Sequence, residues 1–164
     1  MTKKILVVDD ESSIREALSK VLQAEDYAVV SAETGPEAVE KFGATPIDLL
    51  LLDLGLPVKD SWDTLQWLAG VNPLLPVIII TGRHAQLELA VAAGADALME
   101  KPLNVPSLLE TIRELTHEPL ERRAERARQR TSGFRYSSGD SERLRELRPK
   151  QFPTPGLTPE IKCA

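Results

Sequence analysis

The stretch Leu49-Leu-Leu-Leu-Asp-Leu-Gly-Leu-Pro57 is four consecutive leucines closed by an aspartate and a Gly/Pro-bearing turn. A run this short and wholly apolar reads as a strand buried on both faces, the pattern of a central parallel strand. Similar runs lie at Ile5–Val8 and Val77–Ile80, with weaker ones at Ala28–Ser31 and Ala97–Met99. Helical patterns separate them. Ile14, Leu18, Val21 and Leu22 form one apolar stripe, with Ser12 or Ser13 as its expected N-cap. Pro36 stands at a first-turn position before Ala38, Val39 and Phe42, and Gly43 is expected to end that helix. Leu65 and Leu68 mark a third helix, Leu87 to Ala92 a fourth, and Leu108, Leu109, Ile112 and Leu115 a fifth. Strict alternation of strands and helices predicts an α/β fold, a doubly wound (βα)5 sheet of five parallel strands.

In such a sheet ligands sit beyond the carboxyl ends of the strands, so the residues there carry the functional reading. The first strand ends in Asp9-Asp10-Glu11, the third in Asp53, the fourth in Thr81-Gly82, and the fifth leads into Lys101-Pro102. Taken singly, the aspartates could be helix caps, Thr81 a turn residue and Lys101 a solvated side chain. Together they place carboxylates, a hydroxyl and an ammonium on one sheet edge. Clustered carboxylates repel and call for a cation. Hard oxygen ligands around an open cavity suit Mg²⁺ or Mn²⁺, and the lysine would complement phosphate charge. A carboxylate beside a metal can itself attack phosphorus.

Ile5-Leu-Val-Val-Asp-Asp-Glu11, Leu51-Leu-Asp-Leu-Gly-Leu-Pro57, Ile79-Ile-Thr-Gly82 and Gly94-Ala95 followed by Glu100-Lys-Pro-Leu103 resemble the chemotaxis-regulator-like receiver domain of bacterial two-component response regulators. The resemblance covers about residues 3–117. It implies the flavodoxin-like strand order 2-1-3-4-5, with Asp53 as phosphoacceptor. It further implies Mg²⁺ held by Asp10, Asp53 and the backbone carbonyl of Gly55, with Asp9 acting through water. Thr81 would be the switch hydroxyl and Lys101 the phosphate-contacting lysine, with a cis bond before Pro102. Two departures stand out. The family's aromatic residue three before the lysine is Leu98 here, and its Asp-Gly after the Leu-Pro step is Asp60-Ser61, where a serine at positive φ would reshape the turn.

By this resemblance a sensor histidine kinase or phosphotransfer protein is the upstream partner. The chain would catalyse only its own phosphorylation and dephosphorylation, a switch rather than a turnover enzyme. A downstream protein would read the face made by the fourth helix, fifth strand and fifth helix, and a second copy of the chain is a further candidate partner. A phosphotransferase of haloacid-dehalogenase type also uses an aspartate with Mg²⁺, but needs a second aspartate two residues on, where Gly55 stands.

Composition agrees with this. With 164 residues, 42% hydrophobic and 27% charged, the chain has room for one domain and an appendage. No apolar stretch approaches the roughly 18 residues that span a bilayer. A single cysteine, Cys163, offers no disulfide framework, and a cytoplasmic location is expected. Charge divides unevenly. Residues 1–117 carry nine Lys/Arg against 18 Asp/Glu, and residues 118–164 carry 11 against seven. The expected organisation is therefore a receiver over residues 1–118 and a basic Pro/Ser/Arg-rich tail over 119–164. That tail is expected to be helical at first and then largely disordered, with 131–140 a Ser/Gly-rich flexible stretch. It holds no recognisable DNA-binding domain, so nucleic acid is not an expected partner, although Arg122, Arg123, Arg126, Arg128 and Arg130 could line phosphates. After Thr116 no apolar face compares with that of the fifth helix, and the candidates are few, Phe134, Tyr136, Leu144, Leu147 and Phe152, so the tail should be dispensable for folding and phosphorylation but not for output.

Overall fold

Each apolar run becomes a strand because β-branched and leucine side chains can be buried on both sides of a sheet. The computed structural model describes residues 1–56, 58–82, 86–129, 134–138 and 145–146. In chain order the elements are β1 (Lys4–Val8), α1 (Ser12–Ala24), β2 (Ala28–Ala32), α2 (Gly35–Ala44), β3 (Leu49–Asp53), α3 (Val58–Val71), β4 (Val77–Thr81), α4 (Leu87–Ala92), β5 (Ala97–Glu100) and α5 (Val105–His117). Then follow α6 (Leu120–Arg128), β6 (Arg135–Ser137) and β7 (Arg145–Glu146). The first five strands are parallel in the order β2-β1-β3-β4-β5, as the resemblance implied. All residues of β3 and β4 are buried.

Alternation along the strands divides the core between the two faces. Leu50, Leu52, Ile79 and Leu98 pack with Ala38 of α2, Leu65 and Leu68 of α3 and Ala90 of α4. Leu49, Leu51, Ile78, Ile80 and Met99 pack with Leu18 and Leu22 of α1 and Leu108, Ile112 and Leu115 of α5. At about 1.5–3 kcal/mol for each fully buried large side chain, these layers dominate the fold's stability.

Helix ends differ in detail from the sequence reading. The N-cap of α1 is Glu11, without a side-chain cap, rather than Ser12 or Ser13. Helix α2 continues through Gly43 to Ala44. Thr34 caps its start by accepting from the Glu37 amide at 3.2 Å, while Glu37 returns to the Glu33 amide at 2.8 Å. Asn104 caps α5 through Ser107.

The larger correction is beyond residue 118. A helix does occupy Leu120–Arg128, but the sheet does not stop at five strands. β6 pairs parallel with β5, matching Ala97, Leu98 and Met99 to Arg135, Tyr136 and Ser137. β7 then pairs antiparallel with β6. Phe134 is only 2% exposed and belongs to the core layer under α3 and α4. The expectation that 131–140 is a flexible stretch therefore fails at 134–138, where Phe134, one of the few apolar candidates in the tail, does enter the core. Three strand residues are too few for a period to show in sequence, and pairing with β5 supplies what local pattern lacks. The segment 147–164 lies outside the described residues.

At the amino ends of the strands, α6 is fastened by charge. The Arg126 guanidinium contacts Asp96 Oδ1 and makes a bidentate pair with Glu118, with Nη2 at 2.6 Å and Nε at 3.2 Å. Asp96 Oδ2 also accepts the Val77 amide at 2.7 Å, tying the start of β4 to that of β5. Burial, with the charge of Arg135, pulls the guanidinium down to about 10, so it remains charged at neutral pH. A cavity of about 150 Å³ adjoins this cluster between α3, α6 and Phe134. It lies at the opposite sheet edge from the aspartates.

Candidate functional site

Parallel strands end on one edge, and that edge gathers the acidic residues. Oxygens of Asp9, Asp10 and Asp53 lie within 4.8 Å of one another. Asp9 and Asp53 are buried and Asp10 is exposed. Lys101, in the loop after β5, reaches across β4 to place Nζ 2.8 Å from Asp53 Oδ2 and 3.9 Å from Asp9 Oδ2. The Lys101–Pro102 peptide is cis.

Both Asp53 oxygens are held. Oδ1 accepts the Gly55 amide at 2.8 Å, and Oδ2 accepts the lysine ammonium. A Cβ at position 55 would stand 3.1–3.3 Å from the Asp53 carboxyl group. A side chain here would push the carboxyl group aside by a few tenths of an ångström.

Asp9 is held differently. Oδ1 accepts the Glu11 amide at 2.8 Å, whereas buried Oδ2 accepts no hydrogen bond among the described residues. Burial, aided by the neighbouring Asp53 carboxyl, pushes Asp9 up to about 7; the Glu11 amide and Lys101 only partly oppose this. Burial pulls Lys101 down, but its bond to Asp53 and the charges of Asp53, Asp9 and Glu11 outweigh it and leave the ammonium raised. Three carboxylates against one ammonium leave the cluster negative. The orphaned Asp9 oxygen, two further carboxylates and the open backbone at Gly55 make a hard-oxygen donor set that fits Mg²⁺.

Thr81 ends β4, one residue past Ile80, which is paired with Asp53 across the sheet. It is fully buried. Leu98 is buried in β5 against the α3–α4 layer, with Tyr136 of β6 beside it.

Three further side chains support the site in ways that the sequence does not announce. Ser61 lies within α3, not at a positive-φ turn, and its hydroxyl donates to the Asp53 carbonyl at 3.2 Å. The expected steric penalty at this position is therefore absent. Arg15 of α1 donates from Nη1 to the Asp9 carbonyl at 2.7 Å. One turn separates it from the acidic run, so helical phase was its only signal. Tyr136 donates to Glu100 Oε1 at 2.8 Å beside the site lysine, a contact that no sequence spacing announces.

Residues 5–113 match the family model described as the response regulator receiver domain. Response regulator MprA of Mycobacterium tuberculosis is 34% identical over 117 residues, covering 70% of this chain and 51% of MprA. Chemotaxis protein CheY of Halobacterium salinarum is 32% identical over 114 residues, covering 68% of this chain and 95% of CheY. The chain thus spans about half the length of MprA but nearly all of CheY. Among solved structures, the CheY-like receiver domain protein from Methanospirillum hungatei aligns with a TM-score of 0.68 at 30% identity, over 76% of this chain and 98% of that one. Thermotoga maritima TrrA, solved in complex with Mg²⁺ and BeF, aligns at 0.64 with 34% identity, over 70% of this chain and 99% of its own. Among the described residues no helix is long and apolar enough to cross a membrane. The strand order, the acidic edge and the family match over most of the sheet converge, and the chain belongs to the receiver-domain family of two-component response regulators.

Proposed function

We propose that this receiver accepts a phosphoryl group on Asp53 from the phosphohistidine of a sensor kinase or phosphotransfer protein. The observation that carries the reading is a buried aspartate at the end of a central strand, gripped at both oxygens, beside a second buried carboxylate with an unsatisfied oxygen. In the reaction a carboxylate oxygen of Asp53 forms the new O–P bond. The N–P bond breaks, its electron pair returns to the donor imidazole, and that ring takes a proton from solvent. The Gly55 amide and Lys101 orient the attacking carboxylate, and Lys101 follows the negative charge onto the phosphoryl oxygens. Positioning and electrostatics supply most of the rate. Asp9, Asp10, Asp53 and the Gly55 carbonyl would hold Mg²⁺, whose charge, when bound, screens the carboxylates and the phosphoryl oxygens from one another.

The product adds roughly −1.5 to −2 charge at the strand ends. Thr81, buried one residue beyond the strand pair, is the hydroxyl placed to respond, and β5 and its flanking helices would carry the change to a partner. The phosphoryl chemistry is assigned to residues 1–118. Incubation with acetyl phosphate and Mg²⁺ should add one base-labile phosphoryl group, located at Asp53 by peptide mapping. A label elsewhere, or none, overturns the assignment.

A further inference from the structure

The surface that would transmit this signal is covered by the chain itself. β5 would be the last strand of the sheet, with a free pairing edge, if the chain ended after α5. Instead β6 adds to that edge in parallel, and its side chains fasten it on both faces. Phe134, just before the strand, is buried in the layer under α3 and α4. Arg135 reaches the other way, donating from Nε to Glu114 of α5 at 2.8 Å. Tyr136 packs against the α3–α4 layer and donates its hydroxyl to Glu100 at 2.8 Å. Ser137 is buried.

The register turns this cover into a row. Thr81 of β4 is matched to Glu100 of β5, and Leu98, two residues before Glu100, is matched to Tyr136 of β6. Side chains two apart on a strand, and those matched across parallel strands, share a face. Thr81, Glu100 and Tyr136 therefore share one face at the carboxyl edge, running from the strand beside Asp53 to the added strand. Glu100 is a buried carboxylate immediately before Lys101 in the chain.

We propose that β6 is a tethered occupant of the β5 edge, that the row Thr81–Glu100–Tyr136 couples it to Asp53, and that phosphorylation loosens it. This rests on the phosphoacceptor reading above. A phosphoryl group would draw Thr81 and Lys101 toward Asp53, displacing the two neighbours of Glu100. It would also add like charge near that buried carboxylate, which a tyrosine hydroxyl serves to hold in place. β6 spans only three residues, so it is a weak link in the sheet and the first place for strain to be released. The freed β5 edge would then take an extended segment of a partner in parallel register, the role that 135–137 plays within this chain.

The test is hydrogen exchange with mass spectrometry on the full chain, before and after acetyl phosphate with Mg²⁺, with intact mass of the same samples giving phosphoryl occupancy. Amides of 135–137 should exchange about five-fold faster or more in the phosphorylated chain, the low end of typical coupling, while those of β1 hold steady. Asp53→Asn should show no such change. Tyr136→Phe, which keeps the ring and loses the hydroxyl, should exchange faster at 135–137 before phosphorylation and respond less to it. A chain fully phosphorylated at Asp53 with unchanged exchange at 135–137 overturns this proposal and leaves the phosphoacceptor reading intact. A chain that takes no phosphoryl group overturns both.

Discussion

The two ends of the strands each hold a knot of charge drawn at least partly out of water, and the knots are built to opposite rules. At the carboxyl edge Asp9, Asp10 and Asp53 cluster, one lysine lies against Asp53 and Asp9, and a buried Asp9 oxygen accepts nothing among the described residues. At the amino edge Arg126 lies between Asp96 and Glu118, engaging Glu118 with two nitrogens, while Asp96 also receives a backbone amide. The first cluster is negatively unbalanced and incompletely bonded, so a bound cation would improve it. The second is already saturated, so it fastens α6 to the sheet. Buried charge marks a binding site where partners are missing and a latch where they are complete.

The contrast is broken most severely at Asp53. Asp53→Asn should abolish acetyl-phosphate labelling as read by intact mass, while far-ultraviolet circular dichroism stays that of the folded chain. Labelling at the level of the parent would end the case for the acidic edge.

At the other edge, Arg126→Ala should cost about 3–5 kcal/mol in urea unfolding, because it strands Asp96 and Glu118 without their cation. Labelling of the protein that remains folded should be unaffected. A loss under 1 kcal/mol would mean that the latch is ordinary surface pairing.

Phe134→Ala removes a fully buried ring and should also cost about 3–5 kcal/mol. With Arg126→Ala it decides whether 119–138 belongs to the receiver's cooperative unit. Two variants each costing that much would confirm that truncation after Glu118 destabilises the domain.

A smaller effect sharpens the ligand-binding half. At ten times its Kd, Mg²⁺ should stabilise the chain by about 1.4 kcal/mol through mass action, and Asp10→Ala should reduce that gain at the same Mg²⁺ concentration. Arg126→Ala should leave it intact. The smallest change concerns Ser61, whose hydroxyl bonds the Asp53 carbonyl. Ser61→Ala should cost about 1 kcal/mol, the worth of one buried hydrogen bond, with little change in labelling.

The core of this molecule was legible because its signals are local. Four leucines before Asp53 or three isoleucines before Thr81 state a buried strand without any neighbour. Parallel topology then delivers Asp9, Asp10, Asp53, Thr81 and Lys101 to one edge, so the site follows from the order of the elements. The helix caps were read less well, since a serine near a helix start says little about which residue begins it. At Ser61 the family pattern suggested a strained turn. The structure places a helical serine there, bonded to the backbone of the site aspartate.

The sequence by itself determined the alternation of strands and helices, the acidic edge, and the lysine that answers it, because each is written in contiguous residues or in their order. Only the tertiary structure decided that Arg135-Tyr-Ser137 is a strand, that Arg126 is clasped between two carboxylates, and that Tyr136 reaches Glu100. These contacts join residues eight to 38 positions apart, without a period or a motif between them. A free sheet edge and two uncompensated carboxylates exist only once the first five strands are assembled. What the later segment becomes depends on that surface, not on its own composition.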